Sequence, residues 1–542
     1  MKHPAKMCLF WASVIAVLLL GCGAEMFTSL QNVKQAISVE RKLMENLKTY
    51  IDQEQERLED IRRFYAKVSG LHAELYNSPA AAMANPLVSF TLIKRLHSEW
   101  RNVVYSNEAL ENLQALRSGY EEEDVDLPKM EDLQGAAKGL MRLQDVYALQ
   151  VSSLVRGLFR RVADGKATDV YMPVVSILLS GDDCFLVGKV AYEQEDYYHS
   201  VPWLEESVRL FRLAGGKWSP ENEGTLEDAL DHLAFSHFKT GNVSYALSLS
   251  YELLHYDPTN GRILLNVEKY ERLLVAAGTT RSVGLRRPTS TYLSTRDAYE
   301  RLCRTQGSRL IHSENPRLYC DYFTNNNPAL LLLPAKREVL SLQPYVVLYH
   351  DFITDREAED IKGFAQPALR RSVVASGENQ TTVEYRISKG AWLKGSESCI
   401  IGKLDQRISM LTGLNVKPPY GEYLQVVNYG IGGHYEPHFD HATSPSSPVY
   451  KLKTGNRVAT FMIYLSSVEA GGSTAFIYAN FSVSVLKKAA IFWWNLHRNG
   501  RGDADTLHAG CPVLIGDKWV ANKWVHEYGQ EFHHRCSLNP EE

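Results

Sequence analysis

The sequence has no excess of charge of either sign. Its 59 lysine and arginine residues nearly balance 63 aspartate and glutamate residues, which leaves a formal net charge of −4 at pH 7. Binding to nucleic acid or to an anionic membrane requires a concentration of positive charge, so this composition predicts neither partner. With 542 residues, 45% of them hydrophobic, the chain is long enough for about three or four domains with buried cores.

The sequence also has few long hydrophobic runs. The run at residues 8–20 is too short to span a bilayer comfortably, and it stands between two lysines, Lys2 and Lys6, and the small residues 21–24. This order predicts a signal peptide over residues 1–24, with a membrane anchor as the less favoured alternative. Because no other long apolar run follows, the mature chain is expected to be soluble and luminal.

Cysteine is scarce as well. Of the eight cysteines, Cys8 and Cys22 lie within the predicted signal peptide, and six remain. These six are Cys184, Cys303, Cys320, Cys399, Cys511 and Cys536. Cysteines form disulfides in an oxidising lumen, but the sequence alone does not fix the pairs.

Two further features concern the secretory pathway. Sequons for N-glycosylation occur at Asn242, Asn379 and Asn480. The sequence ends in Asn-Pro-Glu-Glu and not in a signal of the Lys-Asp-Glu-Leu type. A luminal protein with this ending is expected to need a partner that carries the retention signal.

Hydrophobic periodicity predicts a helical domain over residues 25–158. Between Met44 and Val68 the spacing of the side chains alternates between three and four residues, as in a helix that packs against another helix. The intervening positions of this seam are Leu47, Ile51, Glu54, Leu58, Ile61 and Tyr65. Further periodic stretches begin at Pro86 and Leu133. The periodicity alone fits an intramolecular bundle and a coiled-coil self-association domain about equally well.

Residues 159–276 are predicted to form helical hairpins of the tetratricopeptide (TPR) kind. Small residues such as Ala191 and Ala246 stand where helices would cross, and Gly241 stands at a turn, over about two and a half repeats. Tyrosine side chains on such helices suit a polyproline II peptide, although most tyrosines on packed helices belong to the core. The candidate groove residues are Tyr192, Tyr197, Tyr198 and Tyr245.

The last part of the chain, residues 341–542, has short β-rich runs in place of the helical pattern. It follows a connector over residues 277–340 that is rich in Arg, Ser, Thr, Asn and Pro. The runs lie at residues 345–349, 423–427, 458–465, 490–494 and 519–525. Many short strands predict a double-stranded β-helix of the jelly-roll type. The whole chain is therefore expected to be a multidomain α + β protein.

The most informative motif lies in this β-rich region. His438 and Asp440 are two residues apart, so their side chains would share one face of a strand, and His508 would come from a strand alongside. Two imidazoles and one carboxylate suit Fe(II) and leave positions open for a chelating cosubstrate and O2. A lone His-x-Asp pair is weak, because such a pair on a surface is usually solvated. Lys518 adds a cation where the far carboxylate of iron-bound 2-oxoglutarate would lie.

These motifs resemble those of a known family. The run over residues 344–536 is similar to the catalytic domain of the collagen prolyl 4-hydroxylase α subunits, and the likeness extends over nearly the whole chain. It is carried by Glu422-Tyr-Leu-Gln-Val-Val-Asn-Tyr429-Gly, Gly455-Asn-Arg457-Val-Ala-Thr and Cys511-Pro-Val-Leu-Ile-Gly-Asp-Lys518-Trp-Val-Ala-Asn-Lys-Trp524-Val-His526-Glu. The resemblance implies 4-hydroxylation of proline in X-Pro-Gly repeats of procollagen, coupled to conversion of 2-oxoglutarate to succinate. The implied cofactors are Fe(II), 2-oxoglutarate, O2 and ascorbate.

The resemblance also implies roles for individual residues. The far carboxylate of 2-oxoglutarate is expected on Lys518 and on the hydroxyls of Tyr429 and Thr474. The expected residues of the substrate pocket are Tyr435, Arg457, Trp524 and His526, although packing in the core is at least as common a role for the two aromatics. The flanking His434 and His441 are expected on the loop surface and not on the metal.

Disulfides and partners are implied in the same way. The resemblance implies the pairs Cys303–Cys320 and Cys511–Cys536, with Cys184 and Cys399 as free thiols. It implies protein disulfide isomerase as the β subunit of an α2β2 tetramer, self-association through the N-terminal helices and residence in the lumen of the endoplasmic reticulum.

Two other function classes compete with this interpretation. One is a different 2-oxoglutarate oxygenase, such as a lysyl hydroxylase or an oxygen-sensing prolyl hydroxylase. The other is a non-catalytic scaffold that binds proline-rich chains. The intact set of His438, Asp440, His508 and Lys518 favours an enzyme over a scaffold.

Overall fold

The computed structural model describes most of the chain after residue 26. The described residues are 27–53, 59–75, 84–105, 120, 128–163, 166–216, 219–277, 285, 287, 294–306, 317–372, 374–376, 379–381, 386–395, 398–444, 447, 449, 453–537 and 539. The predicted signal peptide over residues 1–24 therefore lies outside the described residues. Within the described ranges, no helix is long and apolar enough to cross a bilayer.

The N-terminal region begins with two helices that pack against each other. Helix α1 spans Leu30–Gln53 and helix α2 spans Glu59–Leu75, and their buried side chains, among them Leu47 and Val68, belong to one apolar cluster. An oxygen of the Glu40 carboxylate on α1 lies 3.1 Å from His72 Nε2 on α2. The predicted seam is thus divided between two helices, and its positions Glu54 and Leu58 fall outside the described residues.

The remaining elements of this region complete a helical layer. Helix α3 runs into a π-helical turn and then into α4, and the Asn85 side chain caps α3 by accepting a hydrogen bond from Leu87 N at 2.9 Å. A β-hairpin, which periodicity did not predict, follows the helices. The bounds are α3 Pro86–Lys94, the π-helical turn Arg95–Glu99, α4 Trp100–Val104, α5 Met130–Tyr147, α6 Val151–Leu154, β1 Phe159–Ala163 and β2 Lys166–Tyr171.

The next five helices form the TPR-like domain that the sequence predicts. Consecutive helices pack as antiparallel pairs, and a side chain added at Gly188 would come within 2.7 Å of Leu204 Cγ, so this helix crossing requires a glycine. Capping boxes at Ser180 and Thr225 start the first and third helices. The bounds are α7 Gly181–Glu193, α8 Tyr197–Leu213, α9 Leu226–Lys239, α10 Val243–Tyr256 and α11 Gly261–Ala277.

The C-terminal domain is built on two antiparallel sheets, as the jelly-roll prediction requires. The large sheet has the strand order β3-β4-β5-β16-β12-β19-β10-β9-β6, and the small sheet has the order β11-β17-β14-β15. Two further pairs, β13-β18 and β7-β8, lie beside them. The bounds are β3 Cys320–Phe323, β4 Ala335–Leu342, β5 Tyr345–His350, β6 Arg370–Arg371, β7 Val374–Ser376, β8 Asn379–Thr381, β9 Ser388–Leu393, β10 Leu424–Tyr429, β11 Tyr435–His438, β12 Arg457–Tyr464, β13 Val468–Gly471, β14 Thr474–Phe476, β15 Phe481–Val483, β16 Ala490–Trp494, β17 His508–Gly510, β18 Val513–Gly516 and β19 Trp519–His526.

Side chains of the large sheet alternate between two cores. Val347 and Phe461 belong to a core shared with helices α14 (Asp355–Ala365) and α15 (Cys399–Thr412). Their neighbours Val346 and Met462 belong to a second core with residues of the small sheet. This period of two explains why the β-rich runs were legible in the sequence.

The described part of the predicted connector is not a free linker. Helix α12 (Arg296–Thr305) packs on the small sheet, helix α13 spans Pro328–Leu332, and strands β3 and β4 form one edge of the large sheet. Strand β4 crosses the predicted boundary at residue 340.

The predicted disulfides need correction. Cys303 on α12 bonds to Cys511, 208 residues away, with a Cα–Cα distance of 5.5 Å. Both cysteines are fully buried in one core, whereas Cys320 and Cys536 are exposed free thiols. The predicted pairs Cys303–Cys320 and Cys511–Cys536 are therefore wrong, because the packing of α12 on the small sheet brings Cys303 to Cys511. Cys184 is a buried free thiol and Cys399 an exposed one.

Candidate active site

The three predicted metal ligands meet in the small sheet. His438 ends β11 and His508 begins β17, and the two residues are direct partners across these antiparallel strands. His438 Nε2 lies 3.7 Å from Asp440 Oδ1, and His508 Nε2 lies 3.7 Å from Asp440 Oδ2. The ligand atoms of all three residues lie within 4.8 Å of one another. This spacing fits one metal ion that is bound on a single side.

Main-chain carbonyls fix the orientation of both imidazoles. His438 Nδ1 lies 2.7 Å from Glu436 O, and His508 Nδ1 lies 2.9 Å from Thr506 O. A carbonyl oxygen only accepts, so each Nδ1 carries the proton and donates it, and each Nε2 presents a lone pair towards the other ligands. Two neutral imidazoles and a carboxylate are the donor set that suits Fe(II).

The Asp440 carboxylate is held in the charged form that binds metal. Thr460 Oγ1 donates to Asp440 Oδ2 at 2.7 Å, and Asn495 Nδ2 donates to Thr460 Oγ1 at 2.9 Å. Burial would raise the pKa of Asp440, but the nearby groups, led by His508 and His438, lower it to about 2. Burial, followed by the neighbouring His508, lowers the pKa of His438 to about 3. Ligands that stay deprotonated favour metal binding.

Lys518 is a buried cation in the C-terminal domain. It lies between β18 and β19, is 2% exposed, and donates from Nζ to Gly472 O at 2.6 Å. Its Nζ is 4.9 Å from the centre of the Tyr429 ring. Of the residues that the structure describes, none gives Lys518 a carboxylate partner, and burial lowers the pKa of its ammonium to about 7. A buried ammonium of this kind suits an anionic ligand such as a carboxylate.

The two predicted hydroxyl ligands of the cosubstrate also adjoin this position. A Cβ added to Gly510 on β17 would lie 3.5 Å from the Tyr429 hydroxyl, and Thr474 on β14 is the cross-strand partner of Gly510. The Thr474 hydroxyl lies 2.9 Å from that of Tyr464. The structure thus brings Tyr429, Thr474 and Lys518 into one region of the two-sheet C-terminal domain, here called the catalytic barrel.

Arg457, His526 and Trp524 form a charged and aromatic wall beside the metal ligands. Arg457 makes a two-pronged ion pair with Glu422, with Nε–Oε1 at 2.5 Å and Nη2–Oε2 at 3.0 Å. His526 Nε2 lies 3.1 Å from Glu422 Oε1. The Arg457 guanidinium lies 3.9 Å from the centre of the Trp524 ring, and its Nη1 donates to Asp440 O at 3.3 Å. The wall is therefore bonded to the backbone of Asp440, one of the three predicted metal ligands.

Glu422 and Thr460 were not identified as site residues from the sequence. Burial would raise the pKa of Glu422, but Arg457 and His526 lower it to about 2, so Glu422 is a charged anchor for both. Glu422 reaches Arg457 only through folding, because β19 lies between β12, which begins at Arg457, and β10, which follows Glu422. Thr460 orients Asp440 from β12, and the spacing in the sequence gives no signal for either role.

Tyr435 lies against an imidazole. Its ring stacks on His438 with centroids 3.5 Å apart, and the Arg386 guanidinium lies 4.7 Å from the centre of the Tyr435 ring. Trp524 is 6.0 Å from the ring of Trp392, which is 46% exposed. Trp524 and Trp392 therefore form an aromatic surface that reaches from Arg457 to solvent.

The expectation that His434 and His441 lie on the loop surface is wrong. His434 is 3% exposed and His441 is 8% exposed. A side chain at Gly502 would come within 2.2 Å of His441 Nε2, so this imidazole is packed against the backbone of Gly502. Among the described residues, neither histidine belongs to the group that could hold a metal.

In the TPR-like domain, two of the four candidate groove tyrosines belong to one aromatic surface. Tyr192 lies 6.0 Å from Tyr197, 5.6 Å from Phe235 and 4.7 Å from His232, measured between ring centroids. Lys239 Nζ lies 5.7 Å from the Tyr197 ring. Phe235 and His232 were missed from the sequence, although they stand three apart on one face of α9.

The other two candidates have different neighbours. The Tyr198 ring lies 4.9 Å from that of His199, and the Tyr245 ring lies 4.7 Å from that of His237. Among the ring contacts of the described residues, neither tyrosine touches Tyr192 or the aromatic rings around it.

The sequons occupy three different settings. Asn242 caps α10, with its side chain accepting from Tyr245 N at 3.4 Å. Asn480 is exposed and accepts from Arg301 Nη2 at 2.8 Å. Asn379 lies on β8.

Comparison with known proteins yields three matching family models. They are the N-terminal region of the prolyl 4-hydroxylase α subunit over residues 29–161, the prolyl 4-hydroxylase peptide-substrate-binding domain over residues 181–276 and the 2OG-Fe(II) oxygenase superfamily over residues 424–526. Mouse prolyl 4-hydroxylase subunit alpha-3 is 60% identical over 95% of this chain and 95% of the relative. The human alpha-3 subunit is 59% identical over 98% of this chain and 99% of the relative, and human alpha-1 is 38% identical over 95% and 96%.

Proposed function

Because the chain belongs to the prolyl 4-hydroxylase α-subunit family and is a 2-oxoglutarate- and Fe(II)-dependent prolyl 4-hydroxylase, we propose that it acts on X-Pro-Gly repeats of procollagen and collagen-like chains. Each hydroxylation of proline at C4 would be coupled to the conversion of 2-oxoglutarate and O2 to succinate and CO2. The single observation that carries this proposal is the cluster of His438, Asp440 and His508 in one barrel with a buried Lys518 that has no carboxylate partner among the described residues.

The ligand assignments follow from the side chains that are present. His438, Asp440 and His508 would hold Fe(II), and Lys518 would receive the far carboxylate of 2-oxoglutarate, together with the hydroxyls of Tyr429 and Thr474. The bound iron supplies the oxygen activation that amino-acid side chains do not perform. The residues of the chain bind, orient and shield the reactants.

On the substrate side, Arg457, Trp524 and His526 would hold the peptide next to the metal. Glu422 fixes Arg457 and accepts from His526, so these donors are oriented before the peptide arrives. Tyr435 would form the wall opposite them by covering His438.

A second peptide site is proposed on the TPR-like domain. Tyr192 and Tyr197, with Phe235 and His232, offer adjoining ring faces that suit proline rings in a polyproline II conformation. The match to the peptide-substrate-binding domain supports this assignment. Tyr198 and Tyr245 would not contribute to the same surface.

Family membership supports the remaining proposals. We propose an assembly with protein disulfide isomerase as β subunit in an α2β2 tetramer, self-association of the N-terminal helices, residence in the lumen of the endoplasmic reticulum and ascorbate as the reductant that maintains Fe(II). Co-purification of the tagged chain from secretory cells tests the partner, and loss of turnover without ascorbate over many cycles tests the reductant.

The central experiment measures succinate release and hydroxyproline in a (Pro-Pro-Gly) repeat peptide. A lysine-bearing collagen-like peptide serves as the second substrate, and Fe(II) is omitted in a parallel reaction. We expect iron-dependent hydroxyproline in the first peptide, no turnover in His508→Ala, and normal activity in the control variant His255→Ala, which changes an exposed histidine on α10. Hydroxylysine as the product would favour a lysyl hydroxylase, and peptide binding without succinate would favour a scaffold.

A further inference from the structure

The N-terminal helical region is docked on the cosubstrate end of the catalytic barrel. Phe27 O accepts from Ile431 N at 3.1 Å, and Ala84 O accepts from Gly516 N at 3.1 Å. Tyr147 donates from its hydroxyl to Pro512 O at 2.5 Å. These contacts reach the ends of β10 and β18, next to the residues proposed to bind 2-oxoglutarate.

The closeness of the backbones shows that this docking surface is specific. A Cβ on Gly430 would lie 2.0 Å from Phe27 O, and a Cβ on Gly139 would lie 2.7 Å from Ile431 O. Such distances are shorter than real side chains adopt, so both positions depend on glycine. The two regions therefore fit each other through residues that leave no room for a side chain.

A polar network crosses the same surface. The fully buried side chain of Asn428 accepts from Ser29 Oγ at 2.6 Å through Oδ1. Its Nδ2 donates to Asp517 Oδ1 at 2.8 Å and to Lys518 O at 3.3 Å. Lys34 on α1 forms an ion pair with the other oxygen of Asp517.

The sequence positions of the network connect it to the cosubstrate site. Asn428 directly precedes Tyr429, and Asp517 directly precedes Lys518. Tyr429 N also donates to Lys518 O at 3.1 Å, so these two backbones are joined. A shift of Asp517 or Asn428 would move the attachment of the Lys518 side chain, and an ion pair made by a misplaced ammonium is weaker.

We infer that Lys34 and Ser29, on the N-terminal helical region, are positioning residues for 2-oxoglutarate, which act by fixing Asp517 and Asn428 and through them Lys518 and Tyr429. This inference rests on the proposed role of Lys518. It gives the N-terminal region a part in cosubstrate affinity, in addition to any part in assembly.

The test is the equilibrium binding of 2-oxoglutarate to the full assembled enzyme, loaded with Fe(II) without oxygen and followed by its charge-transfer absorbance. Lys34→Ala is expected to raise the Kd for 2-oxoglutarate by about two- to fivefold, since the ion pair is partly exposed. Lys34→Arg, which keeps the positive charge towards Asp517 and leaves the Asn428–Asp517 hydrogen bond in place, is expected to keep a Kd close to that of the wild type. Lys48→Ala, which changes an exposed lysine on the same helix, is expected to leave the Kd unchanged.

Further measurements separate positioning from general stability. KM for the peptide, the Fe(II) concentration for half activation and the thermal midpoint of Lys34→Ala should match the wild type. An unchanged Kd for 2-oxoglutarate in Lys34→Ala would overturn the inference. So would a variant in which peptide KM, Fe(II) requirement and thermal midpoint are impaired as much as the Kd for 2-oxoglutarate. The variant Lys518→Ala tests the proposed cosubstrate site by itself: if it binds 2-oxoglutarate as well as the wild type, that site is wrong.

Discussion

At the scale of single residues, the proposed metal site depends on groups that contact the proposed ligands and not the metal. Two main-chain carbonyls set the proton position on His438 and His508, and Thr460 occupies one lone-pair direction of the Asp440 carboxylate. Asn495 in turn donates to Thr460. A fixed carboxylate oxygen needs less reorganisation when iron binds.

Replacing Thr460 by Val should therefore weaken Fe(II) binding without removing a ligand. The variant loses the donor to Asp440 and leaves the Asn495 amide facing a methyl group. We expect the Fe(II) concentration for half activation to rise by about tenfold, the lower end of the range for such outer partners. Thr460→Ser, which keeps the hydroxyl, should stay close to the wild type. An unchanged iron dependence in Thr460→Val would mean that Asp440 holds its orientation without this bond.

Lys518 should impose a pH dependence on the binding of 2-oxoglutarate. Burial lowers the pKa of its ammonium from 10.5 to about 7, so the free enzyme loses this charge as pH rises through about 7. A dicarboxylate binds the charged form, and KM for 2-oxoglutarate should therefore increase above that pH while KM for the peptide stays flat. Lys518→Arg keeps its charge over this range and should remove the pH dependence, whatever its affinity. A wild-type KM that is constant to pH 9 would contradict this assignment.

At the scale of helices and strands, the close approach of α5 to the catalytic barrel makes Gly139 a sensitive position. Alanine is a better helix former than glycine by about 1 kcal/mol, but at Gly139 the added Cβ would meet Ile431 O at 2.7 Å. We expect Gly139→Ala to lower the thermal midpoint and to raise KM for 2-oxoglutarate. Gly70→Ala on α2, where nothing lies within 4 Å of the added atom, should be neutral or stabilising. If Gly139→Ala and Gly70→Ala had equal thermal midpoints, the contact between α5 and Ile431 would accommodate the added methyl group without loss of stability.

Local patterns in the sequence predicted the helices and strands, but not the contacts between distant elements. The strands and the position of His438 beside Asp440 were predictable because alternation with a period of two and a His-x-Asp spacing are local patterns. The side-chain spacing between Met44 and Val68 predicted helical structure. It did not predict the division into α1 and α2, because a spacing of three and four is the same in both helices. The disulfide depended on the docking of α12, and the roles of Glu422 and Thr460 depended on strands that meet only after folding. Such long-range contacts leave no periodic trace.

At the scale of the whole molecule, the two proposed peptide sites should make affinity depend on substrate length. A peptide held at the aromatic surface of Tyr192 and Tyr197 would have a raised local concentration at the proposed iron site. Tyr192→Ala should therefore raise KM for long (Pro-Pro-Gly) repeats by about tenfold and leave KM for the shortest repeats unchanged. Tyr245→Ala, which changes a half-exposed tyrosine packed on His237, is the matched control. If Tyr192→Ala and Tyr245→Ala raise KM equally for peptides of every length, the aromatic surface is not the second peptide site.

The bond between Cys303 and Cys511 has a consequence for biosynthesis. A chain made from its N-terminus presents Cys303 long before Cys511, with 208 positions between them, and its helical domains can fold in that interval. Until Cys511 emerges, Cys303 can stay a thiol or pair with a cysteine such as Cys320, and any such pair must exchange before the native bond forms. The native bond requires α12 to lie beside the end of the strand that carries His508, so its formation reports that the sheet with the proposed iron ligands is in place.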